Sequence, residues 1–323
     1  MITWGMVGNS HDASLSVFDN NELLWAGLSK DFSGVLNDPH LNSDIVKYAL
    51  DHWGGPSQAV WYERPFLKTL RQFRAGQGWL YNENNIRSYL KKYLAYSLPI
   101  KYTQHHLSHA AYAYYTQPYD DCAVICLDSI GEFETLTIWH GKNNQLKKIH
   151  SQGYPHSLGL FYSAMTQRIG LIPQRDEYLV AQYAEKGNKE RLFQVMWDEI
   201  ISMQGLAVNP KVTLHENLHR GCSWWRPELC SEQDMYDIAA TTQAIFEYCL
   251  LNLSEWAHLK TSSPNLALAG GGALNRQAVS KIKSRWDNVW VPHNPGDPGS
   301  CIGSVLAKTQ TKITLDNQWY KAV

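Results

Sequence analysis

One supersecondary unit occurs twice in this 323-residue chain, and the repeat limits what the chain can fold into. In the first copy an apolar run, Ile2–Val7, meets the polar turn Gly8-Asn9-Ser10-His11-Asp12. Ala13–Phe18 and Leu23–Leu28 follow as strands, joined by a hairpin turn at Asp19–Glu22. In the second copy the run Cys122–Leu127 meets a polar turn at Asp128–Glu134. Thr135–Trp139 and Gln145–His150 follow, joined by a turn at Gly141–Asn144. The copies lie about 120 residues apart, the shift from Gly8 to Gly131. A period that long describes a duplicated lobe, not a short-period solenoid. We therefore expect lobes at 1–118 and 119–323, with the two polar turns facing each other across a central cleft. The last helix is free to pack back on the first lobe.

The segments between and after the copies supply helices and further strands, which makes the chain α/β. Ser43–Trp53 reads as a helix capped by Ser43, and Ala59–Tyr62 as a short strand ending at Glu63. Arg64–Tyr96 is basic, aromatic and mostly helical, with breaks at Gly76 and Gly78. Helical periods recur over Ser157–Ile169, Lys189–Met203 and Ser231–Trp256, the last with Ser231 as cap and Asp234 at its third position. Asn209–Arg226 has no period and reads as loop; its His215, His219 and Trp224-Trp225 face substrate or bare surface. The buried strand Asn265–Leu268 feeds Gly270-Gly271-Gly272. Such glycines let backbone N–H groups approach a phosphate or ribose, and are equally compatible with a tight packing turn. Two such lobes around a cleft make the duplicated actin-like, RNase H-like nucleotide fold (ASKHA) the expected architecture.

The chemistry concentrates after the short run Ile100–Tyr102. His105, His106 and His109 open an Ala/Tyr-rich helical stretch. His105 and His109 are spaced i,i+4, and His106 and His109 i,i+3, so either pair shares a helix face and could hold one divalent ion. Two carboxylates could complete the set. Asp128 ends a buried strand, where open sheets place ligand-binding groups, and Asp297 sits in Pro295-Gly296-Asp297-Pro298-Gly299. His105, His109, Asp128 and Asp297 form a mixed nitrogen and oxygen set that suits iron, manganese or zinc.

Net charge is −1 and the pI is about 6.9. This carries no electrostatic footprint for polymeric nucleic acid or an acidic membrane. Six cysteines show no C-x-x-C spacing and read as reduced thiols of a cytoplasmic protein. Polar residues from Thr3 to Asp12 argue against a signal peptide, and no apolar run approaches a membrane span. The 13 Trp and 18 Tyr suggest aromatic surfaces able to stack on a sugar or base.

The block His105-His106-Leu107-Ser108-His109-Ala110-Ala111 resembles the H-H-L-A-H-A-A block of the O-carbamoyltransferases of nodulation-factor and antibiotic biosynthesis. Gly8-Asn9-Ser10-His11-Asp12-Ala13-Ser14 looks like their G-x-x-x-H-D-A-S, and Asp128–Glu132 like their D-G-x-G-E. Ser157–Tyr162, Gly270–Asn275 and Gly296–Gly299 resemble S-L-G-x-x-Y, G-G-V-A-L-N and G-D-x-G, in the same order. The resemblance implies a domain related to the tRNA threonylcarbamoyltransferase. It implies iron, or another divalent transition metal, on His105, His109, Asp128 and Asp297. It also implies a donor, carbamoyladenylate, made from carbamoyl phosphate and ATP. Asp12, Gly131, Gly270, Gly271, Gly272 and Asn275 would line the donor nucleotide, with His11 and Glu132 as the catalytic pair. The acceptor would be the hydroxyl of a small metabolite, such as a sugar or a hydroxymethyl-pyrimidine nucleotide.

Two departures from the pattern remove cations from the expected donor site. Leu36 and Leu179 stand where the family usually carries lysine. Members usually continue into a domain that makes the adenylate, so a separate adenylate-forming partner is a further expectation. Three other readings share parts of the pattern: a tRNA threonylcarbamoyl transferase-like enzyme, an actin-like sugar or acetate kinase, and a non-catalytic nucleotide-binding module. The first would act on RNA without a basic face, and the second would need magnesium carboxylates and no histidine pair.

Overall fold

The structure is a computed structural model, and it describes residues 1–94, 97–201, 217–315 and 318–319. In chain order its elements are β1 (Ile2–Val7), β2 (Ser14–Asp19), β3 (Glu22–Leu28), α1 (Lys30–Ser33), α2 (Ser43–Trp53), β4 (Gln58–Trp61), α3 (Pro65–Arg74), α4 (Ile86–Leu90), β5 (Ile100–Tyr102) and α5 (His105–Tyr115). Then come β6 (Asp121–Gly131), β7 (Glu134–Lys142), β8 (Gln145–Gly153), α6 (Leu158–Arg168), α7 (Glu177–Ala184), α8 (Phe193–Met196), α9 (Glu232–Thr261), β9 (Asn265–Ala269), α10 (Arg276–Lys283), β10 (Asn288–Trp290) and α11 (Ser300–Thr309).

The repeat read from the sequence is the topology. One sheet runs β3-β2-β1-β4-β5 and the other β8-β7-β6-β9-β10, the same order in both. In each, the hairpin strands pair antiparallel, and the two strands added later pair parallel. Parallel additions need crossovers, which the helices provide.

Alternation along β6 shows how the layers stack. Cys122, Val124 and Cys126 belong to one core, and Ala123, Ile125 and Leu127 to the other. Successive side chains point to opposite faces, so β6 is covered on both sides. On one side α5 and α11 lie against each other between the sheets, α5 on β6 and β9 and α11 on β1 and β4. On the other, α6 and α9 pack on β6. From Ala110 to Tyr115 every residue of α5 is buried, as expected of a helix enclosed on all sides.

Local signals account for most element ends. Ser231 and Asp234 form the expected capping box on α9, which runs to Thr261, five residues past the sequence expectation. On α2 the cap is Asn42, whose side chain accepts from the backbone N–H groups of Asp44 and Ile45, so Ser43 is the first helical residue instead. The expected helix at Lys189–Met203 is broken into a 3-10 turn at Lys189–Arg191, α8 and a π turn at Trp197–Ile201, with 202–203 outside the described residues. Of the 209–226 loop, 209–216, including His215, also lie outside; Leu218–Arg220 is a 3-10 turn. No helix among the described residues is long and apolar enough to cross a membrane.

Candidate metal centre

Four side chains from three parts of the chain meet between the sheets. His105 and His109 project from the first turns of α5, Asp128 from β6, and Asp297 from the loop before α11. One ligand atom of each lies within 4.8 Å of all the others. His105 Nε2 is 3.1 Å from Asp128 Oδ2 and 3.3 Å from Asp297 Oδ1. His109 Nε2 is 3.3 Å from Asp297 Oδ1 and 3.0 Å from His105 Nε2. All four are largely withdrawn from water.

The sequence left two histidine pairs open, and the fold separates them. His106 turns away and places Nδ1 3.0 Å from Thr137 Oγ1. Burial, reinforced by the neighbouring His105, pushes it well below the ordinary imidazole pKa. A neutral His106 is thus part of the packing against β7.

The centre is built for positive charge. Burial alone would raise the Asp128 and Asp297 carboxyls, but the adjacent imidazoles outweigh it and hold both below their usual range. Burial alone would lower His105, but the charge of Asp297 and hydrogen bonds to both carboxylates lift it well above its usual value. Protons cannot fully serve this need. With the two Nε2 atoms 3.0 Å apart, two imidazolium N–H bonds would point at each other. One dication facing both nitrogens and both carboxylates satisfies all four groups at once, so the donor set fits a transition-metal ion.

Several supporting groups were not legible in the sequence. Ser300 Oγ lies 3.2 Å from His109 Nδ1; accepting that N–H leaves the Nε2 lone pair toward the centre. Ser10 Oγ donates to Asp297 Oδ2 at 3.0 Å. Glu63, buried at the end of β4, has Oε2 3.9 Å from His105 Nδ1 and Oε1 2.7 Å from Lys68 Nζ. Glu63 carried the same signal as Asp128, an acid ending an apolar strand. Lys68 sits on a helix with no motif.

The other expected site residues divide. His11 lies at the rim with its side chain 36% exposed, Nδ1 3.1 Å from Asp12 Oδ2 and Nε2 3.9 Å from Asp297 Oδ2. Burial lowers its pKa, but the Asp12 hydrogen bond and the charges of Asp297, Asp12 and Asp128 outweigh this and raise it to about 9. Glu132 is not one of the four clustered groups; it pairs with Arg64. Gly131 lies directly against the cluster, because a Cβ there would collide with the His105 ring. Gly270, with φ +83°, and Gly272 press on Leu127 of β6, the packing role the sequence left open. Gly271 differs, since a Cβ there would meet just Asp128 Oδ1, at 3.4 Å. Asn275 caps α10 and exchanges amide hydrogen bonds with Gln243 at 2.9 and 3.0 Å. Leu36 is exposed on its loop, and Lys30 and Lys68 engage Asp12 and Glu63.

Comparison with known proteins agrees with the architecture. An uncharacterized Synechocystis sp. protein, sll1178, is 27% identical across 94% of this chain and 56% of its own length. The nodulation protein NolO of Bradyrhizobium diazoefficiens is 25% identical across 62% of this chain and 37% of its own. The chain thus spans little more than half the length of the first of these relatives. Among solved structures, the activator of the 2-hydroxyisocaproyl-CoA dehydratase from Clostridium difficile with bound ADPNP has a TM-score of 0.52 at 13% identity, covering 98% of this chain and 100% of that one. That likeness shows the duplicated actin-like fold. Residues 33–306 match the carbamoyltransferase N-terminus family, and the chain belongs to that family.

Proposed function

We propose that this chain performs the transfer step of an O-carbamoylation, moving a carbamoyl group from carbamoyladenylate to a hydroxyl of a small metabolite. A sugar or a hydroxymethyl-pyrimidine nucleotide is the acceptor class in view. The observation that carries the reading is the convergence of His105, His109, Asp128 and Asp297 between the sheets of a carbamoyltransferase-family chain. Held there, an iron-class or other divalent transition-metal ion supplies Lewis acidity toward carbonyl and phosphate oxygens.

In the transfer, the acceptor oxygen bonds to the carbamoyl carbon. The bond from that carbon to the phosphate oxygen breaks, and AMP leaves with the electron pair. The acceptor's proton needs a base, and His11 is the imidazole at the rim. As imidazolium, the form its raised pKa of about 9 favours at neutral pH, it hydrogen-bonds the developing negative charge, and its neutral fraction takes that proton. Asp12 on Nδ1 fixes the ring with Nε2 on the Asp297 side. Glu132, already paired with Arg64, is a poor candidate for the same proton. Gly271, open beside Asp128, leaves room for the adenylate. The same fold holds an ATP analogue in the dehydratase activator. Carbamoyladenylate itself would come from an adenylate-forming activity in the same protein or in a partner.

The test is single-turnover carbamoylation of sugars and nucleotides from preformed carbamoyladenylate, before and after chelation. We expect product from the metal-loaded protein and little after chelation. Equal yields in both arms, or no product with either acceptor class, would sink the reading.

A further inference from the structure

Glu132 lies four residues beyond Asp128, yet its carboxylate is not one of the four clustered groups and is taken up by Arg64. It accepts the backbone N–H of Arg64 at 2.6 Å, and the guanidinium donates to Oε2 through Nε at 3.1 Å and Nη2 at 2.8 Å. The Glu132 carbonyl accepts from Arg71 Nε at 3.1 Å. The start and the last turn of α3 therefore hold both ends of one residue. Glu132 has φ +56°, a left-handed conformation uncommon for a glutamate, and its side chain is buried. A strained, buried carboxylate needs such fixed partners to persist.

The same guanidinium reaches a second element. With its amide oxygen turned toward Arg64, Gln104 accepts from Nη2 at 3.1 Å and Nη1 at 3.2 Å. Gln104 is the N-cap residue of α5 and immediately precedes His105. On the other side, Gly131 immediately precedes Glu132 and lies against the His105 ring. One arginine thus ties the start of α5 to the β6–β7 turn, the two places that carry His105 and adjoin Asp128.

We propose that Arg64 and Glu132 form a latch that presets the metal centre, with Glu132 a positioning residue and not the proton acceptor. This inference rests on the metal reading above. The latch acts by holding Gly131 and the N-terminus of α5 in contact, so that the His105 imidazole faces Asp128 before any ion arrives. Opening it at either end lets the ligand atoms drift, which weakens metal binding.

The experiment is a Co(II) titration followed by its visible absorption on wild type, Arg64→Met, Glu132→Gln and the double variant. Thermal unfolding of the metal-free proteins is measured in parallel. Either single change should weaken Co(II) binding about tenfold or more. The double variant should be no weaker than the weaker single, because both changes open one latch. Arg64→Lys keeps the charge without the fork, and it should fold and bind with intermediate affinity. Wild-type binding with unchanged affinity in the variants overturns the latch alone. A wild type that binds no Co(II) removes the metal reading and the latch with it. If Glu132→Gln abolishes transfer at saturating Co(II) while Arg64→Met transfers normally, Glu132 is the proton acceptor and the latch is wrong.

Discussion

The two sheets share one strand order, but their polar turns do different work. The turn after β1 carries left-handed residues at Asn9 and Asp12, and the turn after β6 carries one at Glu132. Both chains of residues leave their first strand by the same kind of bend. From there they diverge. The irregular end of β6, just before the second turn, supplies Asp128 to the cluster and sets Gly131 against His105. The first turn supplies support: Ser10 holds Asp297, and His11 stands 3.9 Å from it at the rim. The later strands diverge too. β4 ends in the buried acid Glu63 behind His105, whereas β9 ends in glycines that leave space beside Asp128. The two sheets therefore share a scaffold and differ at their turns: the end of β6 contributes to the four-residue cluster, and the turn after β1 borders it; in the proposed reading the former grips the metal and the latter positions and reacts.

The largest effect expected from this division is loss of the grip. His109→Ala removes a buried imidazole that faces both His105 and Asp297. It should abolish stoichiometric metal binding, read by elemental analysis of protein purified under reducing conditions. His106→Ala, on the same helix but bonded to Thr137, should keep the metal and lose stability alone, on the order of 2 kcal/mol. Metal retained by the first variant, or lost from the second, would reverse the assignment.

A sharper version compares matching glycines. A Cβ at Gly131 collides with the His105 ring, whereas one at Gly8 meets the Tyr89 hydroxyl at 2.9 Å and Trp61 at 3.1 Å. Gly131→Ala should therefore weaken metal binding strongly. Gly8→Ala should cost about 1–3 kcal/mol of overpacking and leave the metal in place. Metal titration beside thermal unfolding separates the two, and equal metal loss in both would erase the contrast.

How far the sequence reached follows from the same contrast. Both hairpin units and α5 were legible because apolar period and turn residues are local; the His105, His109, Asp128, Asp297 set rested on residue chemistry and motif blocks, and the structure brings the four together. What was missed depends on tertiary contact. The Asp128–Glu134 turn is in fact the irregular end of β6, where pairing with β7 resumes at Gly131 opposite Glu134. No local pattern reveals that Glu132 meets Arg64, or that Ser10 meets Asp297 across almost the whole chain. The Lys189–Met203 pattern was amphipathic enough to read as one helix, but Asn188 caps a separate 3-10 turn there. Its backbone N–H donates to Asp237 of α9, so tertiary contact broke the run.

Proton linkage gives an effect of comparable size to the glycine pair. Burial opposes it, but Asp297 and Asp128 lift His105 well above its ordinary pKa, which favours a proton there when no metal is bound. A metal must displace it, and affinity should rise with pH by up to about tenfold per unit for one proton released. The rise should level off once pH exceeds the raised value of His105. Calorimetric titration in two buffers of different ionisation enthalpy counts the released protons, and a count of zero contradicts the assignment.

The β9 loop makes the next test. Gly271→Val places a branched side chain beside Asp128 without striking Leu127, which Gly272→Val would meet at 2.6 Å. If nucleotide lies over this opening, Gly271→Val should weaken binding of an adenylate analogue by about tenfold or more while metal content holds. Unchanged calorimetric affinity would make the whole loop a packing turn.

The smallest effects should fall on the two serines, and they separate grip from support most finely. Ser300 Oγ lies 3.2 Å from His109 Nδ1, and Ser10 Oγ donates to the far oxygen of Asp297. Removing either hydroxyl leaves every ligand atom in place, so the metal should stay bound. Ser300→Ala frees the His109 tautomer and should lower affinity about tenfold, within the usual range for an outer hydrogen bond. Ser10→Ala frees just one lone pair of a carboxylate whose other oxygen faces both histidines, and should cost less, about 1 kcal/mol or some fivefold. Ser10 also shares its turn with His11, so its loss should show more in the rate of transfer than in metal affinity. If Ser10→Ala instead weakens the metal more than Ser300→Ala does, the first turn is part of the grip. The division of labour between the two sheets would then have to be redrawn.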